Sequence, residues 1–229
     1  MIGTIWEILI LLDYCNIIAE NALFLADQVT MRFMCGEYIK GEELMYKTIF
    51  LEKSLLGRET DLNDPEKVLN QCIRIAYNDM LAAGRYYISQ DMDARCSNLK
   101  SILKESNYIY SHDIIEKTCL LFGDREKIGQ GNRYVTRYGL AQKFVNMTYK
   151  YLYVFSNYIR RKIDFSKCDC PLDSVILKEL QLDKKYSWSK VNKEEYMICQ
   201  QLIKEKLEEE EDIGELRNIG NLAYDFLKW

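Results

Sequence analysis

Proline and histidine are scarce in this chain of 229 residues, and each scarcity limits its possible structure and chemistry. Two prolines leave long stretches free to form helices, because proline interrupts a helix interior. One histidine, His112, is too few for the usual paired zinc ligands, although the eight cysteines include the closely spaced Cys168 and Cys170. We therefore expect neither a metal nor any other cofactor.

Strand signals are also scarce, whereas helix signals are frequent. Alternating runs rich in valine or threonine are missing, and apolar residues recur at helical spacing in almost every segment. Asp64 before Pro65 marks a helix start, and Asn192 with Glu195 resembles a capping box. These signals predict an all-α fold, with residues 1–229 forming a single globular multi-helix domain. The predicted helices span residues 4–34, 41–56, 65–84, 91–104, 112–122, 140–160, 171–180 and 192–212, followed by a last helix.

The glycine-containing stretch 123–137 is the clearest predicted loop. It contains Gly129 and Gly131 but lacks the third glycine of a dinucleotide fingerprint, so we expect a turn at which the chain reverses. A soft subdomain boundary is expected near this stretch.

The cysteines and the N-terminus both bear on location. Apolar neighbours surround most cysteines, which indicates buried free thiols in a reducing compartment. The apolar stretch from Met1 to Leu12 is interrupted by Glu7, is too short to span a bilayer and precedes no small-residue cleavage site. We expect a soluble cytoplasmic protein without a membrane partner, and its oligomeric state stays open.

Charge is distributed unevenly along the chain. The net charge is −4, yet residues 125–167 carry ten Lys or Arg against only Glu126 and Asp164, a local charge of +8. Such asymmetry suggests a surface that faces a polyanion. The alternative is a basic stripe that pairs with the acidic run Glu208–Asp212 of the same chain.

Lys143 and Asp173 are the strongest candidates for chemistry. Lys143 is predicted just inside a helix after a glycine turn, on a wet face with Asn146, Lys150 and Asn157, and Asp173 in the first helical turn after Pro171. Neighbouring cations and a helix N-terminus favour a neutral, nucleophilic amine. An ionised aspartate stabilises an oxocarbenium ion, so the pair suits cleavage of an N-glycosidic bond. The alternative is a solvated lysine and an ordinary helix-start aspartate.

Two segments carry a resemblance to a known family. Gly139–Asn146 (GLAQKFVN) resembles the hairpin and following helix of helix-hairpin-helix DNA glycosylases of the 8-oxoguanine and endonuclease III type. Cys170–Val175 (CPLDSV) is similar to the segment that supplies their second catalytic group. The resemblance implies a helix-hairpin-helix element that grips the DNA backbone and a flipped base. It also implies Lys143 as the Schiff-base nucleophile and Asp173 as the supporting carboxylate.

The chain departs from the family pattern at two points. Ala141 replaces the second hairpin glycine, and the interval of 30 residues between Lys143 and Asp173 is longer than usual. The expected function is a DNA-binding base-excision enzyme that cleaves the glycosidic bond of a modified or damaged base. A non-catalytic helical nucleic-acid-binding protein and a phage or bacterial defence-related protein-interaction module remain alternatives. The residues expected to contact DNA are Gly139, Ala141, Gln142, Asn146, Lys150, Arg133 and Arg137.

Overall fold

A computed structural model describes residues 48–49, 51–84, 91–122, 125–128, 133–211 and 213–228. The chain divides into two compact units, Met1–Arg58 and Glu59–Trp229. In the first unit, residues 48–49 and 51–56 are helical, and Gly57 follows with a φ of 91°. The helix predicted over residues 4–34 lies outside the described residues. The prediction of one domain with a soft boundary near 123–137 stays a prediction.

Helices make up most of the second unit. Those in its described residues are α1 (Pro65–Gly84), α2 (Met92–Glu105), α3 (His112–Cys119), α4 (Arg137–Val154), α5 (Ser156–Ile159), α6 (Ser174–Glu179), α7 (Lys193–Glu209) and α8 (Leu222–Lys228), with 3₁₀ turns at Trp188–Lys190 and Gly214–Ile219. The all-α fold class is confirmed, apart from one short pair of strands. No helix in the described ranges is long and apolar enough to cross a membrane.

Helix starts follow the capping signals in the sequence. The Asp64 side chain accepts hydrogen bonds from the backbone amides of Glu66 and Lys67, both at 3.1 Å, directly before Pro65. Asn192 and Glu195 form the expected capping box, in which each side chain accepts from the backbone amide of the other residue. These interactions satisfy amides that lack partners within the helix. The predicted starts of α1 and α7 are therefore confirmed.

The stretch predicted as a loop contains a β-hairpin. Strands β1 (Arg125–Ile128) and β2 (Arg133–Thr136) pair antiparallel, with Arg125 opposite Thr136 and Ile128 opposite Arg133. The chain does reverse here, but its flanks are strands rather than loop. Aromatic and β-branched residues favour strands, and Tyr134–Thr136 supplies three in a row.

Helix α4 lies in the core of the second unit, in contact with α1, α3, β2 and the turn Trp188–Lys190. All residues from Gly139 to Tyr149 are buried, as in a helix surrounded by protein on every side. The prediction of a wet face carrying Lys143 and Asn146 was therefore wrong. Distant parts of the chain cover that face and supply polar partners, which local periodicity does not reveal.

Candidate functional site

The predicted pair of Lys143 and Asp173 meets in the core. The Lys143 Nζ donates a hydrogen bond to Asp173 Oδ2 at 2.9 Å, and the two side chains are 4% and 8% exposed. Helix α4 supplies the lysine, and the residue preceding α6 supplies the aspartate. The structure thus brings together two side chains that are 30 positions apart, but in a dry interior rather than an open cleft.

Asp173 also caps helix α6. Its Oδ1 accepts hydrogen bonds from the backbone amides of Val175 and Ile176, both at 2.9 Å. The helix begins at Ser174, so Asp173 is its N-cap and does not lie in a first turn after Pro171 as predicted. Each carboxylate oxygen already has protein donors, an arrangement that stabilises the charge in place. This geometry accounts for the aspartate without a substrate.

A second buried ion pair lies further along α4. Lys150 Nζ pairs with Asp225 Oδ2 on α8, and the side chains are 14% and 1% exposed. Burial raises the pKa of the Asp225 carboxyl, while the charges of Lys150 and Lys143 oppose that rise. Asp173 raises the same pKa, so the two pairs act on each other electrostatically. Four charged side chains therefore link α4, α8 and the start of α6.

The other residues expected on a DNA-facing surface mostly face protein. Gln142 donates to the Leu172 carbonyl and accepts from the Leu172 amide, both at 3.1 Å. Asn146 donates to the Tyr196 hydroxyl at 2.8 Å. Both side chains are 0% exposed. In this conformation they are therefore not accessible to a nucleic acid, although the sequence predicted that they contact one.

Gly139 and Ala141 are also buried in α4, contrary to the expectation of a phosphate-binding hairpin. The helix starts at Arg137, so Gly139 lies within it and not in a turn before it. A Cβ at Gly139 would lie 2.7 Å from the Ser189 carbonyl carbon and 2.8 Å from the Trp188 oxygen. Glycine here admits a neighbouring backbone. The helix-hairpin-helix element is not confirmed.

The two arginines expected to contact DNA precede or begin α4. Arg133 lies in strand β2, and the half-buried Arg137 is the first residue of the helix.

A network centred on Asp169 was not anticipated from the sequence. Asp169 Oδ2 lies 2.8 Å from His112 Nε2 and accepts a hydrogen bond from the Tyr196 hydroxyl at 2.8 Å. The Tyr110 hydroxyl donates to Asn146 Oδ1 at 2.8 Å and extends the network into α4. Its members lie up to 86 residues apart, so no local motif marks them.

A basic loop, defined as residues 160–167, follows α5. Arg160, Lys162 and Lys167 are exposed and form no ion pair with other residues in the described ranges. Arg161 instead pairs with Glu66 and lies over the Tyr108 ring, 4.8 Å from its centroid. With Asp164 included, the loop carries a net charge of +3.

A cavity of about 540 Å³ lies elsewhere, between α1 and α2. Its cations already have internal partners: Arg74 pairs with Asp93, and Lys100 donates to Asn70 at 2.6 Å. Neither Lys143 nor Asp173 lines it. In the described part of the chain, no group of three or more His, Cys, Asp or Glu side chains could hold a metal ion.

In comparisons with known proteins, no family model, curated protein or solved structure matches the chain.

Proposed function

We propose that the protein is a non-catalytic helical nucleic-acid-binding protein that uses the basic loop to contact phosphates. The observation that carries this proposal is the clustering of three exposed cations, Arg160, Lys162 and Lys167, within the eight residues of this loop, where none of them forms an ion pair with the described residues. Cations that are not neutralised within the protein release counterions from nucleic acid when they bind it. The charge distribution along the sequence also favours a polyanion partner, because this loop lies in the segment 125–167, which carries a net charge of +8.

The loop is held at its base, which favours a defined binding surface. The Phe165 ring packs edge-on against Tyr153, with ring centroids 5.3 Å apart. The Cys168 amide donates to the Phe165 carbonyl at 2.9 Å, and the Ser166 amide donates to Asp164 Oδ1 at 2.9 Å. These contacts fix the backbone and leave the cationic side chains in solvent. Less conformational entropy is then lost when a ligand binds.

The burial of Lys143 favours binding without catalysis. A Schiff-base nucleophile has to reach C1′ of a nucleotide, whereas Lys143 is 3% exposed and held by Asp173. We also propose a cytoplasmic location, which the free thiols favour. Six cysteines in the described ranges are unpaired, as is usual in a reducing compartment.

The test is a salt titration of binding to labelled single- and double-stranded oligonucleotides, followed by fluorescence anisotropy. If three cations each neutralise one phosphate, the plot of log K against log salt should have a slope of about −2 to −3. The triple variant Arg160→Gln, Lys162→Gln and Lys167→Gln should bring that slope close to zero and weaken binding at low salt.

A matched control removes the same charge elsewhere. Lys178, Lys184 and Lys190 are exposed, and their replacement by Gln should leave the slope nearly unchanged. Equal losses in the two triple variants would refute a localised site. Failure of the unaltered protein to bind any oligonucleotide at low salt would refute the proposal as a whole.

Base excision is the second candidate, and one observation favours it. The 2.9 Å contact between Lys143 and Asp173 satisfies the proximity that a shared reaction centre needs. The pair would have to open before Lys143 could attack. Borohydride trapping on abasic and oxidised duplexes tests this reaction: a covalent adduct that Lys143→Gln abolishes and exposed Lys178→Gln retains would support it. Salt-dependent binding without any adduct supports only the first proposal.

A further inference from the structure

We infer that His112 and Asp169 form a proton-dependent contact that fixes the buried segment 168–173 against α3 and α7. The histidine begins α3, and its Nε2 lies 2.8 Å from Asp169 Oδ2. The Tyr196 hydroxyl on α7 donates to the same oxygen at 2.8 Å. One carboxylate oxygen thus joins two helices to the segment.

The protonation state of His112 affects the strength of this contact because its partner, Asp169, is only 8% exposed. An ionised carboxylate only accepts hydrogen bonds, so His112 has to present an N–H at Nε2. Protonated His112 also supplies a positive charge, whereas Tyr196 supplies a neutral donor. A charge-assisted hydrogen bond is roughly twice as strong as a neutral one. Loss of the proton therefore leaves the contact in place but weakens it.

Other groups around His112 do not cancel the dependence of its contact with Asp169 on the proton. Its pKa is raised above the usual value, first by the hydrogen bond with Asp169, while partial burial opposes the rise. Glu116 raises and Lys193 lowers the same pKa, and these two side chains pair with each other. The rings of Tyr110 and Tyr196 approach the imidazole edge-on, each with a centroid separation of 6.3 Å.

The segment that this contact holds has further bonds in the core. Gln200 accepts from the Cys170 amide at 3.0 Å and donates to its carbonyl at 2.7 Å. Gln142 makes the same double contact with Leu172. His112, with a side chain 37% exposed, is the solvent-accessible member of this arrangement. A change in pH can therefore act on a segment whose other contacts lie in the core.

The first test is a proton NMR titration of the imidazole. The chain contains one histidine, so its ring resonances belong to His112 without further assignment. We expect a titration midpoint above 6.5, the usual value for histidine. A midpoint at or below 6.5 would overturn the inference, and this measurement needs no variant.

The second test compares stability across pH in the wild type and in His112→Gln, which keeps an N–H donor but carries no charge. A group whose pKa is raised on folding contributes its full stability below the unfolded pKa and loses it as pH rises through the folded pKa. Wild-type stability should therefore decline more than that of the variant as pH rises from about 6.5 through the folded pKa. Equal slopes in urea unfolding experiments would overturn the inference.

Hydrogen exchange then distinguishes a contact that fixes the segment from a purely local charge effect. After correction for the intrinsic exchange rate, the protection of the Cys170 and Leu172 amides should fall above the His112 midpoint. His112→Gln should show no such step. Unchanged protection of both amides in the wild type would mean that the proton does not control the segment, which would refute the inference.

Discussion

The buried pair of Lys143 and Asp173 allows a sharp test of whether its role is architectural. Asp173→Asn keeps an oxygen that can cap α6 but removes the charge that faces Lys143. Removing one partner of a buried ion pair costs about 3–5 kcal/mol, because a charge stays buried without its partner. For a chain of this size, each kcal/mol corresponds to a fall in Tm of roughly 2–4 °C.

Lys143→Met should be the milder of the two single changes. It leaves the Asp173 carboxylate with the amides of Val175 and Ile176, both at 2.9 Å, and with the positive end of α6. The expected loss is about 1.5–3 kcal/mol, the usual contribution of one hydrogen bond to a charged group.

The double variant Lys143→Met with Asp173→Asn removes both charges and retains the cap. Its stability should lie close to that of Lys143→Met alone, since no ammonium is left without a partner. Urea unfolding followed by circular dichroism gives all the free energies that the cycle needs. Single-variant losses that add to within about 0.5 kcal/mol would show that the two side chains do not interact, which would refute the assignment of an ion pair.

Three further predictions concern packing, capping and thiol chemistry. Gly139→Ala should lower the free energy of unfolding by about 1–3 kcal/mol, since its Cβ would overlap the Ser189 backbone at 2.7 Å; an unchanged or higher value in urea unfolding would contradict that close approach. Asn192→Ala should cost about 1 kcal/mol by the same assay, and Asn192→Asp, which can still cap α7, should cost clearly less. Burial raises the pKa of the thiols of Cys168 and Cys170, so both should resist a thiol reagent at pH 8 until the protein unfolds; rapid modification of the native protein, located by mass spectrometry, would count against this.

Local signals in the sequence correctly predicted two helix starts. Asp64 before Pro65 and Asn192 before Glu195 mark the starts of α1 and α7 because a cap depends only on residues within one turn. The break near Phe155 was not predicted. There the backbone takes φ −105° and ψ 21°, which divides the expected helix 140–160 into α4 and α5.

The environment of α4 could not be predicted from its own residues. Its polar side chains suggest a wet face, but Lys143 and Asn146 are buried with partners from distant parts of the chain. Periodicity detects which faces are apolar and does not detect a polar face that is covered and hydrogen-bonded. Satisfied polar groups are compatible with burial, so this pattern was misleading.

The candidate site was predictable only in part. The resemblance paired Lys143 with Asp173, which do lie in contact, but gave no sign of their burial or of the capping bonds to Asp173. His112 and Asp169 lie 57 residues apart and belong to no motif. The basic loop was included in a wider basic segment, but the sequence did not distinguish its exposed cations from Arg161, which pairs with Glu66.

The missing side chain at Gly139 has a consequence for recognising relatives. The backbone of Ser189 occupies the space that any larger residue would need, so a protein with the same packing should also have glycine there. Gln142 and Lys143 follow three and four positions later, each matched to a partner near residue 172. A search for G-x-x-Q-K, followed about thirty residues later by L-D, would therefore select sequences that can form the same close backbone approach and the same buried polar contacts.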